Sequence, residues 1–200
     1  MSHRTSSESS LWARLFYIDQ QKADQVRAAG CQHCQNGVLH AAHYPRKPRG
    51  EDRQILGPEY AWRFSFCCSQ CRKRTTPESV RFLGRKVYLG ATIAQLSAQT
   101  EGLEKDQRAE LIERLEVPQQ TLHRWRHWWQ KKLPASTLWR SLAGRFSPCI
   151  NTRQLPEQLL IRLSGADSGE RLVQLLQLLS PMTTTSGAHC MRVGANAQKM

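Results

Sequence analysis

The sequence predicts a mixed α+β fold, mostly α, in which a small cysteine-bearing β module is followed by helices. Three observations carry this expectation. Two Cys-x2-Cys pairs, Cys31/Cys34 and Cys68/Cys71, stand 33 residues apart among short β-like runs. Apolar residues recur at helical spacing before Gly30 and again after about Lys86. Pro118 then separates an acidic helical stretch from a basic one, and proline is at home in the first turn of a helix.

Bulk composition narrows the classes. Two hundred residues suit one ordinary domain or two small modules. The 29 Lys+Arg against 16 Asp+Glu give a formal charge of +13. A field that positive favours polyanions, nucleic acid first and anionic membrane second. The N-terminal apolar run is too short for a secretory signal, and nothing approaches the ~18–20 apolar residues of a membrane span. A reducing, cytoplasmic (bacterial, nucleoid-associated) setting without membrane partners is therefore expected. Seven cysteines are an odd number and fit a disulfide framework poorly.

In chain order, residues 1–10 are small and polar and read as a disordered tail. Residues 11–30 read as a leading helix with Leu15, Ile18 and Val26 on one face, ended by Gly30. Residues 31–88 hold both cysteine pairs, β-like runs at 38–44 and 60–67, and a Pro/Gly/Arg-rich connection that reads as an exposed loop. From Cys31 to Gly90 there are 11 basic and 4 acidic residues, a net +7. Residues 89–133 read as a helix-turn-helix, 134–181 as three C-terminal helices and 182–200 as a second disordered tail. Leu172, Leu175, Leu176 and Leu179 form one helical stripe, and Leu155, Leu159, Leu160 and Leu163 another. Such stripes are usually intramolecular core; the alternative is a homodimer or partner surface.

The cysteine pairs match a four-cysteine zinc ribbon, with Cys31, Cys34, Cys68 and Cys71 as structural Zn2+ ligands. Two intervening residues make a tight turn that points both thiolates at one ion. Four such thiolates, each at about 2.3 Å, close a tetrahedral site and supply folding energy that a small sheet lacks. His33, His40 and His43 could replace a cysteine, but with four well-spaced thiols they read as surface or loop residues. Strand alternation along 62–68 puts Trp62, Phe64, Phe66 and Cys68 on one face and Arg63, Ser65 and Cys67 on the other. Alternation and knuckle spacing favour Cys68 as the ligand, leaving Cys67 a bystander or reserve.

The next signal is a two-helix pattern. A first helix at 106–115 carries Leu111, Ile112 and Leu115. The second, from Pro118, places Leu122, Trp125 and Trp129 on a core stripe. Its other side carries Gln119, Gln120, Thr121, His123, Arg124, His127 and Lys131, residue types that suit major-groove readout and phosphate contact. From Glu101 to Glu116 there are three basic and six acidic residues; from Val117 to Lys132 there are four basic and no acidic ones. That segregation is expected if only the second helix lies on DNA, although a solvated amphipathic hairpin has a basic face too.

Together these features resemble the N-terminal zinc-ribbon and helix-turn-helix region of bacterial insertion-sequence transposases and their accessory proteins. The residues that carry the resemblance are Phe66, Cys68, Cys71, Arg72, Arg74, Thr75, Thr76, Ser79, Phe82, Thr121, Arg124 and Trp125, within about residues 31–132. It implies binding to double-stranded element DNA, with a nearby-encoded transposase or recombinase as a candidate partner. The basic strand-and-loop surface of Arg46, Lys47, Arg49, Arg72, Lys73 and Arg74 is expected to grip the phosphate backbone. The sequence departs from that pattern in two ways. Glu78 stands where a glycine is usual before the final strand. After Lys132 only Glu157, Asp167 and Glu170 are acidic, in short helical segments without the buried strands that carry a three-carboxylate, two-metal site.

The expectation is thus a non-enzymatic, zinc-stabilised DNA-binding accessory or regulator, with no catalytic residues. An RNA-binding ribbon using Trp62, Phe64 and Phe66 for stacking is the first rival. A protein-interaction adaptor for a recombinase is the second.

Overall fold

The computed structural model describes residues 3–84, 86–99 and 117–184. It is a mixed α+β chain that divides into two compact units, Met1–Leu89 with Leu176–Met200, and Gly90–Leu175. None of its helices is long and apolar enough to cross a membrane.

The first unit begins with α1 (His3–Ala29). The helix reaches back through the polar start, residues 3–10, where a disordered tail is expected from composition. No Gly or Pro interrupts 3–12, and extending a helix costs far less than nucleating one. Its buried stripe is Trp12, Leu15, Asp19 and Ala23, with Ile18 and Val26 only half-buried. The stripe is therefore rotated from the apolar one expected, and a carboxylate sits at its centre.

Two small antiparallel sheets follow. The larger orders β1 (Leu39–Ala41), β3 (Phe66–Cys68) and β4 (Arg74–Thr75) with β3 in the middle, where Leu39 faces Cys68 and Phe66 faces Thr75. The smaller pairs β2 (Tyr44–Pro45) with the short strand Trp62–Arg63. Alternation holds within β3, where Phe66 and Cys68 point inward and Cys67 outward. It fails one step earlier: Trp62 is 52% exposed, whereas Arg63 and Ser65 are buried. The chain changes sheet between 63 and 66, so 62–68 is not one strand with one inner face. The connection at 44–60 is likewise less open than expected, because Leu56 and Tyr60 are buried and Tyr60 Oη donates to the Trp12 carbonyl at 2.8 Å.

The apolar run after Thr76 forms no strand. Val80, Arg81, Phe82 and Leu83 are all buried, but side chains rather than a ladder serve their amides. Val80 N donates to Asp19 Oδ1 at 2.6 Å, and Arg81 N and Phe82 N donate to Ser79 Oγ. Asp19 Oδ2 accepts from Ser79 Oγ at 2.5 Å and from Arg81 Nε at 2.8 Å, with Arg63 Nη1 at 3.9 Å. The Arg81 guanidinium lies over the rings of Phe16, Tyr60, Phe64 and Phe82 at 5.0–5.2 Å and donates to the Glu59 carbonyl. Arg63 donates to the Pro77 carbonyl at 2.7 Å; burial pushes its pKa below the usual arginine value, and Asp19 opposes that shift. Glu78 takes the Lys22 ammonium and the Ser180 hydroxyl on one oxygen, each at 2.8 Å. Thr183 Oγ1 accepts from Ser79 N, so the chain is held to the edge of the expected tail.

The second unit is helical. α2 (Gly90–Gln99) buries Ala91, Ile93, Ala94 and Leu96 and packs on α3 (Gln119–His127) and α5 (Glu157–Arg162). α3 runs into a π turn over Trp128–Lys132, closed by Leu133 N donating to the Trp128 carbonyl at 2.8 Å. α4 (Thr137–Ala143) is capped by Ser136 Oγ, which accepts from Trp139 N. The boundary between the units falls inside α6 (Ser168–Leu179), at Leu175/Leu176. Leu172, Leu175, Leu176 and Leu179 are buried within the chain, as are Leu155 and Leu159, while Leu160 and Leu163 are half-buried. The first helix of the expected helix-turn-helix, at 106–115, lies outside the described residues.

Removing the Asp19 carboxylate would leave two buried guanidiniums uncompensated. Asp19→Ala is expected to cost about 3–5 kcal/mol, read by denaturant unfolding, whereas Asp24→Ala at an exposed position of α1 should change stability by less than about 0.5 kcal/mol.

Candidate metal centre and nucleic-acid interface

The sulfur ligands come from two turns of the same design. Cys31 follows the end of α1, Cys34 lies three residues on, and Cys68 and Cys71 flank the turn between β3 and β4. In each turn the residue after the second cysteine takes a left-handed conformation: Gln35 at φ 61° and Arg72 at φ 58°. Its amide donates to the carbonyl of the first cysteine, Gln35 N to Cys31 O at 2.9 Å and Arg72 N to Cys68 O at 3.2 Å. A non-glycine residue seldom adopts that region. Here closure of the knuckle imposes it twice.

The four Sγ atoms lie within 4.8 Å of one another. Two pairs are closer, Cys31–Cys71 at 3.6 Å and Cys34–Cys68 at 3.5 Å. Thiolates about 2.3 Å from a common tetrahedral ion would stand roughly 3.8 Å apart, so the donors fit one metal ion. Cys67 is not among them; its Sγ turns outward to the Arg72 carbonyl at 3.4 Å. His33, His40 and His43 are exposed, and His43 Nδ1 lies 3.2 Å from Ser65 N, which donates to it. Gly37, closely following the first pair, belongs to the site as well: a Cβ there would come within 2.0 Å of Cys68 Sγ and 3.3 Å of Cys34 Sγ. The glycine lets the backbone pass the sulfurs.

The electrostatics favour a cation. The amide of His33, 3.4 Å from Cys31 Sγ, draws that thiol down to about 6 against the effect of burial. The Asn36 amide lowers Cys34. For Cys71 the Lys73 amide also pulls down, but burial and the sulfurs of Cys31, Cys68 and Cys34 outweigh it and push the thiol up to about 12. Thiolate charges gathered this closely repel one another, and a bound cation would relieve that repulsion. Apolar packing closes the other side: Ala23, Leu39 and Phe66 are buried against Cys31 and Cys68, with Val26 and Phe64 beside them.

No family model, curated protein or solved structure matches the chain.

The basic residues separate into two kinds. Arg72, Lys73 and Arg74 are exposed on the second knuckle, although Arg74 Nη1 also donates to the Ala42 carbonyl at 2.6 Å and to Ser65 Oγ. Arg46, expected on the same surface, is half-buried, with Nη2 on the Lys86 carbonyl and its guanidinium over Phe82. On α3 and its π turn, Trp125, Trp129 and Leu133 are buried. Gln119, Gln120, His123, Arg124, His127 and Lys131 are exposed, and Thr121 is half-exposed. Trp128 sets its ring edge-on to Trp129, with centroids 4.8 Å apart. The late acids serve the fold: Asp167 Oδ1 accepts from Glu170 N and Glu170 Oε2 from Ala166 N at the start of α6.

Cys67→Ser is expected to leave metal content unchanged, whereas Cys68→Ser and Gly37→Ala should both lose most of it. Metal analysis of the purified chains by mass spectrometry reads all three.

Proposed function

We propose that the chain is a zinc-stabilised DNA-binding protein that performs no strand chemistry of its own and serves a mobile element as accessory or regulator. The observation that carries the reading is the two-sided segment 119–132. Trp125 and Trp129 are buried on one side, while seven polar or basic side chains of the segment stand exposed, with no acidic residue among them. Exposed Arg and Gln near the start of such a helix are the side chains that pair bidentately with guanine and adenine in the major groove.

The four-sulfur cluster supports zinc as the ion. An all-thiolate tetrahedral set is the usual closed structural zinc site, and it leaves no open position for a reacting water. The sulfur cluster beside a short antiparallel sheet supports a zinc ribbon, whose second knuckle would offer the exposed Arg72, Lys73 and Arg74 to phosphate. Arg72 keeps a long cationic side chain at a backbone position that glycine would occupy with less strain, which fits a role beyond the turn itself. The mobile-element role follows from the resemblance to insertion-sequence transposase N-termini. A transposase or recombinase would supply the carboxylate chemistry of strand transfer, and paired half-sites would call for a homodimer.

Selection of bound duplexes from a random pool, with and without a chelator, tests the whole reading; a sequence preference that depends on metal is the expected result. Arg124→Ala should relax that preference by about 1–3 kcal/mol of discrimination. Lys73→Ala should weaken all duplexes alike and reduce the slope of log K against log salt by about one. Equal losses on selected and random duplexes for both variants would remove the division between reading and gripping.

A further inference from the structure

The ribbon formed by Tyr44–Pro45 and Trp62–Arg63 carries a pocket of about 380 Å³ whose lining includes Pro45, Pro48, Pro58, Arg46, Lys47 and Trp62. Of the chain's six tryptophans, Trp62 alone is exposed, at 52%. Removing an indole from its core and presenting it to water forgoes a large apolar gain. The strand holds it there firmly. Its neighbour Arg63 is locked inward on the Pro77 carbonyl and beside Asp19, so alternation turns Trp62 out. Pro45 lies directly opposite it, and the next step of the ladder is closed by Arg46 N donating to the Ala61 carbonyl at 2.7 Å. The indole is thus a rigid plate on a short, pinned ribbon.

We infer that this pocket is a single-strand nucleic-acid subsite, in which an unpaired nucleobase stacks on Trp62 and its phosphate meets Lys47. Charge complementarity selects this occupant. Lys47 is exposed at the lining, Arg49 is exposed two residues on, and the half-buried Arg46 guanidinium is held in place by the Lys86 carbonyl and the Phe82 ring. The Glu59 carboxylate lies against Gly57, another lining residue, and repels phosphate from that wall. A base within a duplex has no free face to offer an indole, so the ligand must be unpaired. Phe64 and Phe66, the other aromatics proposed for stacking, are half-buried and buried, leaving Trp62 as the platform. The inference rests on the nucleic-acid reading for its ligand class but uses none of the contacts assigned to 119–132.

The test is anisotropy titration of the metal-loaded full chain with an oligothymidylate of about a dozen nucleotides and with a mixed-sequence duplex. Trp62→Ala should weaken the single strand by about tenfold or more while changing the duplex by less than about twofold, and Trp62→Phe should restore most of the loss. Lys47→Ala should reduce the salt slope for the single strand by roughly 0.7. Metal content and circular dichroism check that each variant is folded. Equal weakening of both ligands by Trp62→Ala, or of neither, overturns the inference. So does a proline-rich peptide that requires Trp62 while oligothymidylate does not. Trp62-dependent single-strand binding with a duplex affinity indifferent to Arg124→Ala would leave this subsite standing and remove the duplex reading; the reverse pattern would do the opposite.

Discussion

A fully buried carboxylate, Asp19, is the constraint around which the first unit is arranged. It accepts from one backbone amide and one hydroxyl, and it pairs with the Arg81 guanidinium. Each partner comes from sequence about sixty residues away, so the carboxylate joins α1 to the segment after the second knuckle. A buried ion pair of this kind is a weak source of net stability, since desolvation takes back much of the Coulomb gain. What it contributes is specificity of position. Only one placement of α1 satisfies Asp19, Arg81 and Ser79 together, and the aromatic rings around Arg81 hold the guanidinium in that place.

The same helix reaches the metal centre. One turn beyond Asp19, Ala23 is buried in one cluster with Cys31 and Cys68, against which Val26, Cys34 and Cys71 also pack. The helix is therefore fixed at two points by different physics, a buried ion pair and an apolar wall behind four sulfurs. An ion at the centre would add a third, because thiolates gathered so closely repel one another without a cation. Binding energy at such a site is folding energy, and the two short sheets, with strands of two or three residues, are the elements that need it most.

The cysteine spacing made the centre legible, since Cys-x2-Cys encodes its own turn and needs no distant information. Alternation over three residues was enough to choose Cys68 over Cys67. The same rule failed from Trp62 to Ser65 because it assumes a single continuous strand, and nothing local reveals that the chain leaves one sheet for another at Phe64. Asp19 was illegible for a related reason. A charged residue in a helical stripe reads as a break in the apolar face, and only its partner at position 81 makes burial affordable. Arg81 itself stood inside the apolar run Val80–Leu83, where one cation looked incidental. The stripe of Leu122, Trp125 and Trp129 was readable from helical spacing: both tryptophans are buried, while Leu122 is half-buried.

The excess of positive charge has to be divided before it says anything about partners. Arg63 and Arg81 are buried in the Asp19 knot, Lys22 is paired with Glu78, and Arg46 and Arg74 donate to backbone carbonyls. These cations are largely committed to holding the chain together. Arg72, Lys73, Arg124 and Lys131 are exposed, and a polyanion can approach them without first breaking an internal bond. A count of lysines and arginines therefore overstates the field available for binding, while the placement of the free ones sharpens it. They are grouped on a knuckle whose backbone is fixed by the sulfurs and on a helix face whose reverse is buried tryptophan. Charges held on such rigid supports lose little conformational freedom on meeting phosphate, beyond that of the side chains themselves. That preorganisation, more than the size of the net charge, is the physical case for nucleic acid over a passive basic surface.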